Sequence, residues 1–191
     1  MRRLSERRRV LLLDDEVAVL DALRVALHKR PYDFVAATSA SDALEALRRE
    51  SFDVVVADER MPGMSGSQFL AIARRNYPAV MRIMLTGHAS FDAAVRAVNE
   101  AEVFRLLVKP CPATDLATAI RLAILVKDLR EACILALRAA GANEELDELE
   151  RLNPGLASAI GHEPAWVPLG AAPEAPADDA SSESRHDDAA A

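Results

Sequence analysis

The chain has 191 residues, 51% hydrophobic, 28% charged and 4% aromatic, with a net charge of −7: enough for one well-buried domain and an appendage, in the composition range of globular proteins. After Gly141 twelve acidic residues stand against Arg151 and Arg185 alone, so the C-terminal part carries about −10, the wrong sign for gripping a phosphate backbone. Cys111 and Cys133 lack CxxC spacing and a nearby His pair, which argues against a zinc site or disulfide framework and for a cytoplasmic setting. No leader segment is expected, and the longest apolar helical pattern, Leu116 to Ala140, holds six charged residues, too many for membrane insertion.

Apolar runs alternate with helical stretches. They predict β1 (Val10–Leu13), α1 (Val17–Lys29), β2 (Asp33–Ala37), α2 (Ser41–Glu50), β3 (Asp53–Ala57), α3 (Ser67–Asn76), β4 (Met81–Leu85), α4 (Phe91–Asn99), β5 (Val103–Leu107) and a long α5 from near Ala113. Ser39 or Ser41 is placed to cap α2, Ser65 or Ser67 α3, Ser90 α4 and Thr114 α5. β1 and β3 are continuously apolar, as strands covered on both faces should be. Five βα units imply a parallel, doubly wound α/β sheet with helices on both sides.

Within α5, Leu122, Val126, Leu129, Cys133, Ala136 and Ala140 follow a 4-3-4-3-4 spacing, the form of a coiled-coil seam. Residues 114–127 are expected to pack on the sheet, whereas Leu129 to Leu137 need another partner, and a homodimer is one candidate. Gly141 should break or cap the helix, and Asn143 should cap a further short helix, α6 (Glu144–Leu152), with Leu146, Leu149, Leu152 and Leu156 as its apolar side. The expected organisation is a basic arm over 1–8, a main domain over 9–127, a helical extension over 128–160 and an acidic, disordered tail over 161–191, too poor in apolar residues to offset ordering.

The strand ends carry the chemistry. In an open parallel sheet, ligands bind outside the carboxyl ends of the strands. Asp14 and Asp15 follow β1, Asp58 follows β3, Thr86 follows β4 and Lys109 follows β5. Like charges placed together favour a neutralising cation, and a hard oxygen site open to water suits Mg²⁺. Asp58 is the candidate nucleophile, because a carboxylate can form an acyl phosphate. Lys109 would neutralise phosphoryl oxygens, and Thr86 would donate a hydroxyl hydrogen bond. A single Asp in such a turn would most simply cap α1, but the pair plus Asp58 goes beyond capping.

Four segments, Leu11-Leu12-Leu13-Asp14-Asp15-Glu16, Val54 to Gly66, Met84-Leu85-Thr86-Gly87 and Leu107-Val108-Lys109-Pro110, occur in an order and spacing that resembles the receiver domain of bacterial two-component response regulators, over about residues 8–127. The resemblance implies a flavodoxin-like sheet of order 2-1-3-4-5. It implies phosphorylation of Asp58 by a sensor histidine kinase or phosphotransfer protein. It also implies Mg²⁺ held by Asp15, Asp58 and the Arg60 backbone carbonyl, with Asp14 acting through water, and a cis Lys109–Pro110 bond. Phosphorylation would then change the α4-β5-α5 face read by a downstream protein. Two positions depart from the family pattern. The residue three before Lys109, often aromatic, is Leu106, with Phe104 two residues earlier on the same strand face. Arg60 and His88 occupy positions that tune phosphate lifetime, and a bulky Arg60 should shield the acyl phosphate.

The expectation is therefore a signalling switch of a phosphorelay rather than an enzyme, without nucleic-acid binding and without a recognisable output module. Two alternatives remain open. One is a haloacid-dehalogenase-like phosphatase, although its DxD motif is missing after β1. The other is a docking scaffold that works without phosphorylation.

Overall fold

A computed structural model describes residues 7–87 and 101–156. The expected α4, its cap Ser90, His88 and the 161–191 tail lie outside those residues. The described chain runs β1 (Arg8–Leu13), α1 (Val17–Leu27), β2 (Tyr32–Ala37), α2 (Ala40–Arg49), β3 (Val54–Asp58), α3 (Gly66–Asn76), β4 (Met81–Thr86), β5 (Arg105–Val108), α5 (Ala113–Ala140) and α6 (Asn143–Leu152). The strands form one parallel sheet ordered β2-β1-β3-β4-β5, the expected topology.

Side chains of a strand alternate between faces, and here both faces are covered. Leu11, Leu13, Val55, Ala57 and Met84 meet α2 and α3 through Ala43, Leu47, Phe69, Leu70 and Ala73. Val10, Leu12, Val54, Val56, Ile83 and Leu85 meet Leu20 and Leu27 of α1 and Leu116, Ile120, Ala123 and Ile124 of α5. Every residue of β3 and β4 is buried. One of them is Arg82, whose guanidinium is kept inside by donating to the carbonyls of Val80 (2.7 Å) and Ala101 (2.8 Å).

Ser39 caps α2 by accepting from the Asp42 amide. Ser65 and Gln68 form a reciprocal capping box at α3. Two cap expectations fail. Pro112 rather than Thr114 precedes α5, its carbonyl accepting from the amides of Asp115 and Leu116. Ala142 rather than Asn143 precedes α6, because Gly141 at φ 69° ends α5 while the Ala142 amide bonds back to Leu137 O. That Schellman-type closure leaves only Gly141 and Ala142 between the two helices.

α5 has 28 residues, about 42 Å at 1.5 Å per residue. Its first half lies on the sheet and its second half passes beyond it. Ile134, in that second half, is 2% exposed and packs with Leu156, Leu146, Leu149 and Ala79. The partner that the overhang required is thus, on this side, the chain's own α6 and the turn after it. Burying Ile134 and Leu156 contributes about 1.5–3 kcal/mol each. The other side stays open: Leu125, Leu129 and Leu135 are exposed at 61%, 68% and 43%, with Cys133 and Ala136 beside them.

A buried charge cluster fastens α5 to the strand starts. Asp53, fully buried, accepts from the Arg9 amide (2.9 Å), the Lys127 ammonium (3.0 Å) and Arg8 Nη1 (3.3 Å). Lys127 also pairs with Glu131 (2.7 Å), and Arg8 with Asp128 (2.7 Å). Among the described residues no helix is long and apolar enough to cross a membrane.

Candidate functional site

Register brings the strand-end residues together. Leu13 is level with Ala57, Asp58 with Leu85, and Thr86 with Val108, so Asp14, Asp58, Thr86 and Lys109 emerge on the same edge. Asp14 and Asp58 are 2% and 6% exposed. The Lys109 ammonium lies between them, 2.8 Å from Asp14 Oδ2 and 2.5 Å from Asp58 Oδ1. Burial draws Lys109 toward the neutral amine, but its hydrogen bonds and charge pairing with Asp14 and Asp58 prevail, leaving its pKa above the ordinary lysine value. It stays an ammonium and offsets the repulsion between two buried carboxylates.

The remaining atoms of the acid pair are held by backbone. Asp58 Oδ2 accepts from the Arg60 amide (2.6 Å), and Asp14 Oδ1 from the Glu16 amide (3.0 Å). Asp14 therefore closes a turn ahead of α1 while also reaching Lys109, but it does not cap the helix as the simplest reading of a lone Asp had it: Glu16 is the N-cap and no side chain bonds the first turn. Asp15 and Arg60 are exposed. Among the described residues no three acidic, Cys or His side chains gather into a metal cage. The donor chemistry nevertheless fits Mg²⁺, which takes one or two carboxylates, keeps several waters and does not require an all-protein cage. Thr86 Oγ1 is buried and has no hydrogen-bond partner among the described residues, a condition that costs about 1–3 kcal/mol unless a ligand atom meets it.

Two supports of the site were not singled out from sequence. Glu59, 7% exposed, turns its carboxylate onto the first turn of α3, accepting from the Ser67 amide (2.8 Å) and hydroxyl (3.1 Å), where the helix dipole favours an anion. Its carbonyl accepts from the Gly66 amide (3.1 Å). The loop carrying Arg60 is thus closed at both ends. Gly66 is required by space rather than by φ: a Cβ there would lie 2.1 Å from the Asp58 carbonyl oxygen. Gly66→Ala should cost about 1–3 kcal/mol, read by chemical denaturation, and should slow any reaction at Asp58 because the strain falls on its own peptide.

The Lys109–Pro110 bond is cis, as expected. Phe104 differs from expectation. Leu106 packs on the α2/α3 side while Phe104 packs on the α1/α5 side, because Phe104 precedes the first residue of β5 and escapes strand alternation.

The response regulator receiver domain family model matches residues 10–121. The chain belongs to the response regulator receiver family. This receiver is 39% identical over 108 residues to the response regulator protein FleR of Pseudomonas aeruginosa, covering 56% of this chain and 23% of that one. It is 34% identical over 159 residues to the alginate biosynthesis transcriptional regulatory protein AlgB of the same species, covering 83% and 32%. It therefore spans about a quarter to a third of the length of these curated relatives. The solved signal receiver domain of an HD domain-containing protein from Pseudomonas fluorescens Pf-5 is 32% identical and superposes with a TM-score of 0.63, covering 64% of this chain and 98% of that one. Receivers serve two-component systems as phosphorylation-dependent signalling switches rather than as catalytic enzymes, and this one has their fold.

Proposed function

We propose that Asp58 accepts a phosphoryl group from a phosphohistidine of a sensor histidine kinase or phosphotransfer protein in the cytoplasm, and that the acyl phosphate is the signal. An Asp58 carboxylate oxygen attacks phosphorus in line. The P–N bond to the donor imidazole breaks, its electron pair remains on nitrogen, and that nitrogen takes a proton from solvent. Asp15, Asp58 and the Arg60 carbonyl would hold Mg²⁺, with Asp14 acting through water, and the bound ion would supply charge neutralisation at the phosphoryl oxygens. Lys109, already 2.5 Å from Asp58, follows the new charge onto those oxygens. Exposed Arg60 shields the product from water and lengthens its lifetime.

The unpartnered, buried hydroxyl of Thr86 carries this reading. The phosphoryl group adds about −1.5 to −2 charge and strong acceptor oxygens. Thr86 gains a hydrogen bond only in the phosphorylated state, which is the differential interaction a two-state switch needs. Movement of Thr86 and the neighbouring β5 would then alter the α4-β5-α5 face. Residues 9–127 form the switching body, and the 128–160 extension or the exposed α5 stripe around Leu125 and Leu129 receives a downstream protein or a second copy. Thr86→Ala should keep phosphorylation within about threefold while most of the shift in backbone NMR resonances of β5 and α5 on beryllofluoride addition disappears, since one hydrogen bond to a charged group is worth about 1.5–3 kcal/mol. An undiminished shift would refute the coupling role. Light scattering with and without beryllofluoride tests the second copy.

A further inference from the structure

At the opposite end of the sheet from Asp58, α3, β4, α5 and the turn after α6 enclose a cleft of about 200 Å³. Four arginines line it, Arg74, Arg75, Arg82 and Arg130, against one carboxylate, Glu102. Arg74 pairs with Glu102. Arg82 is buried and spends its hydrogen bonds on carbonyls. Burial draws its pKa down to about 10, Glu102 opposes this, and Arg74 and Arg130 add to it by repulsion. Arg75 and Arg130 are exposed, and among the described residues neither pairs with a carboxylate; Arg130 only approaches the Met81 sulfur at 3.9 Å. Three uncompensated positive charges in so small a space make an anion site, and guanidinium forks match carboxylates bidentately.

We propose that this cleft binds the chain's own acidic C-terminal segment, residues 163–188, in cis. Leu156 both lines the cleft and ends the described chain, so the segment departs from the cleft's edge. Glu163 follows seven residues later, within reach of about 24 Å of extended chain. The next acids, Glu174, Asp178, Asp179 and Glu183, are tethered at a spacing that gives millimolar effective concentrations. From 161 onward the chain carries seven acids and one arginine, opposite in sign to the cleft. Docking there ties the α5–α6 elbow to the receiver body at the end remote from the phosphorylation site. This contact stands independently of the role given to Asp58.

The chain contains only three lysines, Lys29, Lys109 and Lys127, so a carbodiimide that joins amines to carboxylates reports cleanly on new amines. Arg75→Lys and Arg130→Lys, made separately in the full chain, keep the charge and leave the buried residues alone. Cross-links from either position to 163–188, mapped by peptide mass spectrometry, should exceed those from exposed Lys29 by about fivefold or more. They should collapse near 1 M salt, where the Debye length falls to about 3 Å. Parallel titration with pyrophosphate should show weak binding to the wild type and at least about fivefold tighter binding once Asp178, Asp179 and Glu183 are changed to amides. Cross-linking no greater than at Lys29 would overturn the proposal. So would cross-links running only between chains, which would assign the cleft to a second copy, or equal pyrophosphate affinity with and without the acids, which would make it an open small-anion site.

Discussion

Lys109→Met should slow phosphorylation of Asp58 by about 10²–10³-fold at saturating Mg²⁺, the usual effect of removing one preorganised electrostatic partner from a reacting centre. The ammonium touches both buried carboxylates, at 2.8 Å and 2.5 Å, and no other described cation reaches either. Its removal leaves Asp14 and Asp58 facing each other uncompensated. The variant should therefore be less stable than wild type without metal, by about 1–3 kcal/mol once the 28% exposure of the Lys109 side chain is allowed for. Mg²⁺ binds the folded state and should recover more of the melting temperature in the variant than in wild type. Intact-protein mass spectrometry against time gives the rate, and thermal melts with and without Mg²⁺ give the stability. A rate within threefold of wild type would remove Lys109 from the phosphoryl site.

Asp53→Ala should be the most destabilising single change away from the site. It takes the fully buried partner from the Lys127 ammonium, leaving it only the more exposed Glu131, and releases the Arg9 amide and Arg8 together. Breaking a buried pair from one side costs about 3–5 kcal/mol, or roughly 10 °C in melting temperature for a chain of this size. Asp53→Ala with Lys127→Ala should cost less than the two single changes added, because the second removes the ammonium that has lost its buried partner. Additive losses would mean that the two side chains act separately.

That cluster also marks where sequence reading stops. The strands were legible because both faces are covered, so Val10–Leu13 and Val54–Ala57 read as unbroken apolar runs, and parallel order followed from the helices between them. The strand-end residues were legible because a parallel sheet sends all its carboxyl ends to one edge. Asp53 and Lys127 were not, since a single charged residue ordinarily signals solvent, and only the fold shows that two residues 74 positions apart in the chain are brought together. Glu59 was read as part of a motif, but its grip on Ser67 depends on where α3 begins. The side of Phe104 was misread because alternation was extended one residue before the strand starts. For Ile134, periodicity announced an apolar need but not its partner, since the fold-back of α6 depends on the left-handed residue at Gly141.

The most direct measurement is the mass of the intact protein, and of its peptides, after incubation with acetyl phosphate and Mg²⁺. Wild type should gain about 80 daltons on the peptide containing Asp58, with an acyl-phosphate lability that hydroxylamine reveals, and Asp58→Ala should gain nothing. A folded wild type that gains no mass, or an equal gain that persists in Asp58→Ala, would contradict the account.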